Sequence, residues 1–288
     1  MKKFIKDIFF DKSLKLDQNG ILVVETDLIE ELKNSKDTWE RIFDFNLDRL
    51  KKDRENFNKE KLLDHIKYFE ESCNFNEGSV ILEIGCGPAY IGEYLMKKYG
   101  CFLVGVDFNY QILLILKKYF DEIGYKKYLL IHGDINKMPI KNDTIDFIYG
   151  GGVIEHFPDT GHILAELFRV LKKDGVSLNT VPAFNLWWLL KFYNNIPSLP
   201  MIRKFFEYIH IELLDNKILK KSYGYEISFT KGQLLNLYKN NGFSEISIKP
   251  FAFHPSSIKV KNKFLRDLFY ITQKNYLTAA FYSVNAKK

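Results

Sequence analysis

The rhythm of hydrophobic and polar positions changes twice along this chain. In the first 78 residues the apolar positions recur at mostly helical spacing. Trp39, Ile42, Phe43, Phe45, Leu47 and Leu50 form one such series, and Leu62, Leu63, Ile66, Tyr68 and Phe69 a second. A short strand-like piece over 21–24 precedes them, and the run 51–56 carries charges of both signs, which reads as a solvated face. After Gly78, short apolar runs at 80–84, 102–106, 128–131, 145–149 and 176–181 alternate with amphipathic stretches at 91–99, 111–123 and 163–171. Unbroken apolar strands separated by helices predict a parallel sheet covered on both faces. Past Pro182 the alternation stops: 183–225 holds ten aromatic residues in 43 positions. It then resumes with a Thr230-x-x-Gln233 capping box opening a helix that stops at Gly242, a strand over 243–248, an amphipathic helix over 264–273 and a last strand over 280–286.

Composition narrows the classes. With 288 residues, 46% hydrophobic and 27% charged, the chain has ordinary globular values. Forty-two Lys and Arg against 36 Asp and Glu leave +6, an excess spread along the chain that argues against a nucleic-acid groove. Cys73, Cys86 and Cys101 cannot all pair and form no C-x-x-C, which fits a reducing compartment. Lys6, Asp7 and Asp11 interrupt the apolar start before it could serve as a signal peptide, and no run is long enough to span a membrane. A soluble, cytoplasmic protein is expected.

The most informative segment is 80–92, VILEIGCGPAYIG. A buried strand ends in Glu83 and turns through Gly85 and Gly87 into a helix, so backbone N–H groups can approach a ligand where a Cβ would collide. Dinucleotide-binding proteins use the same geometry for a pyrophosphate. Three features point elsewhere. Tyr90 stands where the nicotinamide fingerprint needs a third small residue, Pro88 removes a donor, and Glu83 would repel phosphate but suits a cation.

LEIGCGPA, then GVD, GDINKMP, DFIYGGGVIEHF and RVLKKDG together resemble a class I S-adenosylmethionine-dependent methyltransferase, in the broad group that includes the ubiquinone- and menaquinone-pathway enzymes. The resemblance covers about 78–182 and 230–248, and the family's third glycine falls here at Ala89. It implies an α/β fold: a Rossmann-like, seven-stranded, mostly parallel sheet with an antiparallel last strand. Residues 1–78 would be a mainly helical extension, and 79–288 the methyltransferase domain, with 183–225 an aromatic cap or lid inserted after the fifth strand. The implied cofactor is S-adenosylmethionine. Asp107, 22 residues beyond Gly85, would accept the ribose hydroxyls. Phe108 and Ile135 would pack on adenine and Asp134 would accept its amino group. Glu83, Gly85 and Gly87 would hold the methionine end, and Gly150 would let the backbone pass close to the methyl group.

Methyl transfer from a sulfonium needs chiefly alignment, so no catalytic group is obligatory. For a hydroxyl acceptor a base helps, and His156, just past the fourth strand, is the candidate. Glu155-His156 resembles part of a metal-binding pattern, but the upstream acid is replaced by Gly151 or Gly152, so no metal is expected. The reading is methylation of a small, hydrophobic or aromatic acceptor, with oxygen ahead of nitrogen or carbon. Methylation of tRNA or another RNA, or a catalytically inactive S-adenosylmethionine-binding protein, stands as the alternative. The insertion reads first as a lid, next as cap core, and lastly as a face touching a membrane. Nothing here speaks to the oligomeric state.

Overall fold

In the computed structural model, the residues described are 7–10, 15–24, 38–39, 41, 46–55, 65–67, 69–71, 73–190, 195–213, 225–252 and 261–288. Several positions of the two expected N-terminal helices, among them Ile42, Phe43, Phe45, Leu62, Leu63 and Tyr68, lie outside them, as do 191–194 and 214–224 of the insertion.

Four strands form the centre of the sheet: β2 (Val80–Ile84), β3 (Phe102–Asp107), β4 (Tyr128–His132) and β5 (Ile145–Gly151). Their side chains are buried on both faces almost throughout, as unbroken apolar runs require. Leu82, Val104, Leu129 and Ile148 face one layer, while Leu103 and Leu130 face the other. Between the strands run α2 (Tyr90–Tyr99), α3 (Tyr110–Glu122) and α4 (Thr160–Val170). Asn109 caps α3 by accepting from Gln111 N at 3.0 Å, and Asp159 caps α4 by accepting from His162 N at 3.0 Å. The sheet continues through β6 (Leu171–Pro182) to β10 (Phe281–Lys287) and β9 (Ser244–Phe251), with β10 antiparallel to both neighbours. The capping box at Thr230 and Gln233 is formed and starts α6 (Lys231–Asn240).

The sheet has eight strands, in the order β1-β4-β3-β2-β5-β6-β10-β9, where seven were expected. The extra strand is the piece at 21–24: β1 (Leu22–Val23) pairs parallel with β4, and Val24 N donates to His132 O at 2.9 Å. β4 would otherwise present an unpaired edge, and β1 covers it. The extension also supplies α1 (Leu47–Glu55), which packs against α3. The insertion contains a 3-10 turn over Leu186–Leu190, β7 (Ile196–Pro197) and α5 (Pro200–Glu207) running into a π-helical turn, and β7 pairs with β8 (Ile227–Ser228) just beyond it. The chain ends with α7 (Lys263–Thr272) before β10. Among the described residues no helix is long and apolar enough to cross a membrane.

Candidate active site

The turn after β2 is held in a shape that only small residues accept cheaply. Gly85, Gly87 and Ala89 have φ of 53°, 45° and 51°, all left-handed. For Ala89 that conformation costs about 1 kcal/mol, which a glycine would avoid. Cys86 N donates to Val106 O at 3.0 Å, tying the turn to β3. Glu83 is buried at the end of β2, and its Oε2 accepts from Gly92 N at 2.7 Å, across the turn in the first coil of α2. Burial pushes its carboxyl up to about 8, although the Gly92 N–H and the Arg54 guanidinium act in the opposite sense.

Arg54 corrects the reading of 51–56 as a solvated face. Its Nε donates to Glu93 Oε2 at 2.6 Å, another nitrogen donates to the Pro88 carbonyl, and its guanidinium lies 4.8 Å and 4.4 Å from the Tyr90 and Tyr119 ring centres. The extension thereby clamps the glycine turn from outside.

Asp107 closes β3 and is buried; Oδ2 accepts from Gly87 N and Oδ1 from Asn109 N, both at 2.8 Å. Burial pushes its carboxyl up to about 6. Phe108, next to it, is half-buried, with its carbonyl 3.0 Å from His132 Nε2. Asp134 follows β4 and caps a short 3-10 turn, accepting from Asn136 N at 2.9 Å, while Ile135 inside that turn joins the core. Gly133 N donates to Asp107 O at 3.1 Å, so the two acidic residues stand on adjoining backbone. Glu83, Asp107 and Asp134 thus lie at the carboxyl ends of three neighbouring parallel strands, where ligands of open α/β sheets bind.

At the end of β5, Gly150 is required by packing. A Cβ there would lie 2.4 Å from Asn179 Oδ1 and 2.9 Å from Ile84. His156 is buried in a 3-10 turn just beyond, with Nδ1 2.6 Å from the Tyr225 carbonyl. A carbonyl only accepts, so Nδ1 carries the proton and the neutral ring keeps its lone pair on Nε2. Burial lowers His156 to about 4, outweighing the carbonyls of Tyr225 and Gly152, which favour the charged ring. Trp39 of the extension meets the imidazole edge-on at 5.1 Å. Beside it, burial and then Glu226 hold the Glu155 carboxyl well above the usual carboxylate range.

Sequence reasoning missed a second pair. Tyr149 Oη lies 2.7 Å from His65 Nδ1, joining the extension to β5, and burial lowers His65 to about 4. A Cβ on Gly151 would lie 2.3 Å from that hydroxyl, so Oη reaches the rim of the sheet. No motif marks His65; only its place in an apolar helical series hinted that it faces inward. A separate cleft of about 670 Å³, bordered by Asp146, Lys172, Asp174, Gly175 and Glu245, opens at the opposite end of the parallel strands.

Comparison with known proteins bears on the fold and the family. Residues 82–178 match the family model described as "Methyltransferase domain". A demethylmenaquinone methyltransferase from Halalkalibacterium halodurans is 28% identical over 193 residues, covering 62% of this chain and 73% of that protein. Among solved structures, Haemonchus contortus phosphoethanolamine N-methyltransferase 2 with S-adenosylmethionine superposes with a TM-score of 0.59 at 14% identity, covering 88% of this chain and 59% of that one. An S-adenosylmethionine-dependent methyltransferase from Mesorhizobium loti superposes with a TM-score of 0.54 at 14% identity, covering 78% of this chain and 98% of that one. At such identities the structural likeness concerns the fold alone.

Proposed function

We propose that this chain, which belongs to the class I S-adenosylmethionine-dependent methyltransferases, methylates a small hydrophobic or aromatic acceptor. The observation that carries the proposal is the row of Glu83, Asp107 and Asp134 along one rim, beside the left-handed Gly85–Gly87 turn. The residues present fit S-adenosylmethionine. Each Asp107 oxygen already accepts one backbone N–H and keeps a second lone pair, which matches the two hydroxyls of a ribose. Asp134 Oδ2, which among the described residues accepts only from Asn136 Nδ2 at 3.1 Å, keeps a lone pair for an adenine amino group, with the apolar Ile135 next to Asp134 in the chain and Phe108 next to Asp107. Glu83 braces the turn by accepting from Gly92 N.

When bound, S-adenosylmethionine supplies a methyl group activated by the positive charge on sulfur. The protein's task is then alignment of the acceptor and management of its proton. Burial keeps the His156 imidazole neutral, and the Tyr225 carbonyl fixes its tautomer, so Nε2 is the atom that would take a hydroxyl proton. That role makes oxygen the proposed acceptor atom. The extension reaches this place through Trp39, and the last residue of the insertion reaches it through the Tyr225 carbonyl, so together they would roof the acceptor site. The demethylmenaquinone methyltransferases among the relatives make a lipid-soluble quinol, whose ring hydroxyl carries the proton that His156 would take, the first acceptor to assay.

The test is a thermal-shift series followed by transfer of a labelled methyl group. S-adenosylmethionine and S-adenosylhomocysteine should raise the melting temperature while NAD does not, and label should pass to a hydroxylated naphthoquinone. Stabilisation by NAD, or label appearing only in RNA, would overturn the proposal.

A further inference from the structure

Fifteen large apolar side chains are exposed among the described residues, and 12 of them fall in three segments: 186–189, 201–213 and 264–277. Helix α7 concentrates them. Phe264, Leu265, Leu268 and Ile271, at spacings of one, three and three, are 73%, 52%, 48% and 64% exposed, while Gln273 just past the helix is buried. A surface helix of a globular protein turns its apolar stripe inward, and α7 presents it outward. The segments are stitched together. Trp187 meets Phe269 of α7 edge-on at 4.9 Å, Trp188 meets Phe206 of α5 at 5.3 Å, and Leu186 N donates to Leu277 O at 3.1 Å.

Charge identifies what covers this face. Residues 261–277 carry Lys261, Lys263, Arg266 and Lys274 against Asp267 alone. Lys274 lies over the Tyr270 ring at 4.3 Å and Lys231 over Tyr276 at 4.2 Å, which places cations and aromatic rings together at the border of the apolar patch. A second copy of the chain would bring the same positive border against itself. Apolar side chains flanked by cations and interfacial aromatics match a helix lying in the plane of an anionic bilayer. We infer that this face docks on an anionic lipid surface, with α7 and the turn at Leu186 and Leu277 entering the headgroup region. The surface extends beyond the aromatic insertion to a helix remote from it in sequence, and the inference stands apart from the identity of the methyl acceptor.

Flotation with vesicles tests it on the full chain. The protein should float with phosphatidylcholine vesicles containing about one third phosphatidylglycerol and remain behind with phosphatidylcholine alone. The double variant Leu268→Glu/Ile271→Glu should weaken vesicle binding by about tenfold or more, with an unchanged melting temperature because both side chains are exposed. Lys263→Glu/Lys274→Glu, which leaves the apolar stripe intact, should remove the preference for the anionic vesicles. No flotation with either vesicle, equal flotation with both, or a dimer in sedimentation equilibrium that Leu268→Glu dissociates would each overturn the inference.

Discussion

Arg54 Nε stands 2.6 Å from Glu93 Oε2, and this contact joins the helix that precedes the sheet to the helix that leaves the glycine turn. The two side chains are 9% and 15% exposed, so the pair is shielded from most of the screening that weakens surface ion pairs. Arg54→Ala would strand Glu93 near the Tyr119 and Tyr125 hydroxyls and release the Pro88 carbonyl. We expect a loss of about 2–3 kcal/mol, seen as a melting temperature lower by several degrees, together with weaker S-adenosylhomocysteine binding. Arg54→Lys should recover little, because an ammonium cannot fork between two acceptors while lying over two rings. A wild-type melting curve for Arg54→Ala would show that the clamp is dispensable.

Asp107 offers a sharper test of the cofactor site. Both of its oxygens accept backbone N–H groups, so Asp107→Asn must turn an NH2 toward Gly87 N or Asn109 N. That mismatch costs about 1–3 kcal/mol and removes the negative charge. Asn and Ala variants should each lose the thermal shift with S-adenosylhomocysteine. Calorimetry showing an unaltered dissociation constant in Asp107→Ala would place the ribose elsewhere.

The buried acids also predict a pH dependence with a definite sign. Asp107 is raised to about 6 from a model-compound value of 3.8, and Glu83 to about 8 from 4.5. Between the unfolded and folded values the folded chain holds a proton that the unfolded chain has released. Their contribution to stability therefore falls as pH rises through these windows. His65 and His156, lowered to about 4 from 6.5, act oppositely: the unfolded chain takes up protons first, so stability is lost as pH drops from 6.5 toward 4. The ribose contact needs the ionised Asp107. Affinity for S-adenosylhomocysteine should thus decline below pH 6, approaching about one decade per pH unit, and Asp107→Ala should flatten that decline. Titration calorimetry across the range decides it.

The features legible in the sequence were those whose signal is local. The central strands are contiguous apolar runs, the Thr230–Gln233 box is written in four residues, and Gly85, Asp107 and Asp134 each sit at the end of a recognisable strand. What escaped depends on residues far apart in the chain. Arg54 lies in a charge run that looks solvated until Tyr90 and Tyr119 are seen to close over it. β1 was visible as a strand-like piece, but nothing local says that it pairs with β4 more than 100 residues on. His65 and Trp39 likewise acquire meaning only through Tyr149 and His156. The outward stripe of α7 escaped for a different reason: periodicity reveals an apolar face without telling which way it points.

The buried His156 and the half-buried His65 compete for the role of base, and their environments separate them. His156 has its Nδ1 proton committed to a carbonyl, leaving Nε2 as acceptor, while His65 Nδ1 is engaged by the Tyr149 hydroxyl at the sheet rim. If His156 takes the acceptor's proton, His156→Ala should lower kcat by about 10²–10⁴. Affinity for S-adenosylhomocysteine should stay nearly unchanged, since none of Asp107, Asp134 or Glu83 bonds to His156. His65→Ala and Tyr149→Phe should then cost stability, about 1–3 kcal/mol for the group left unpaired, with kcat largely retained. The reverse pattern, a collapse of kcat in Tyr149→Phe and normal turnover in His156→Ala, would transfer the role to the His65–Tyr149 pair.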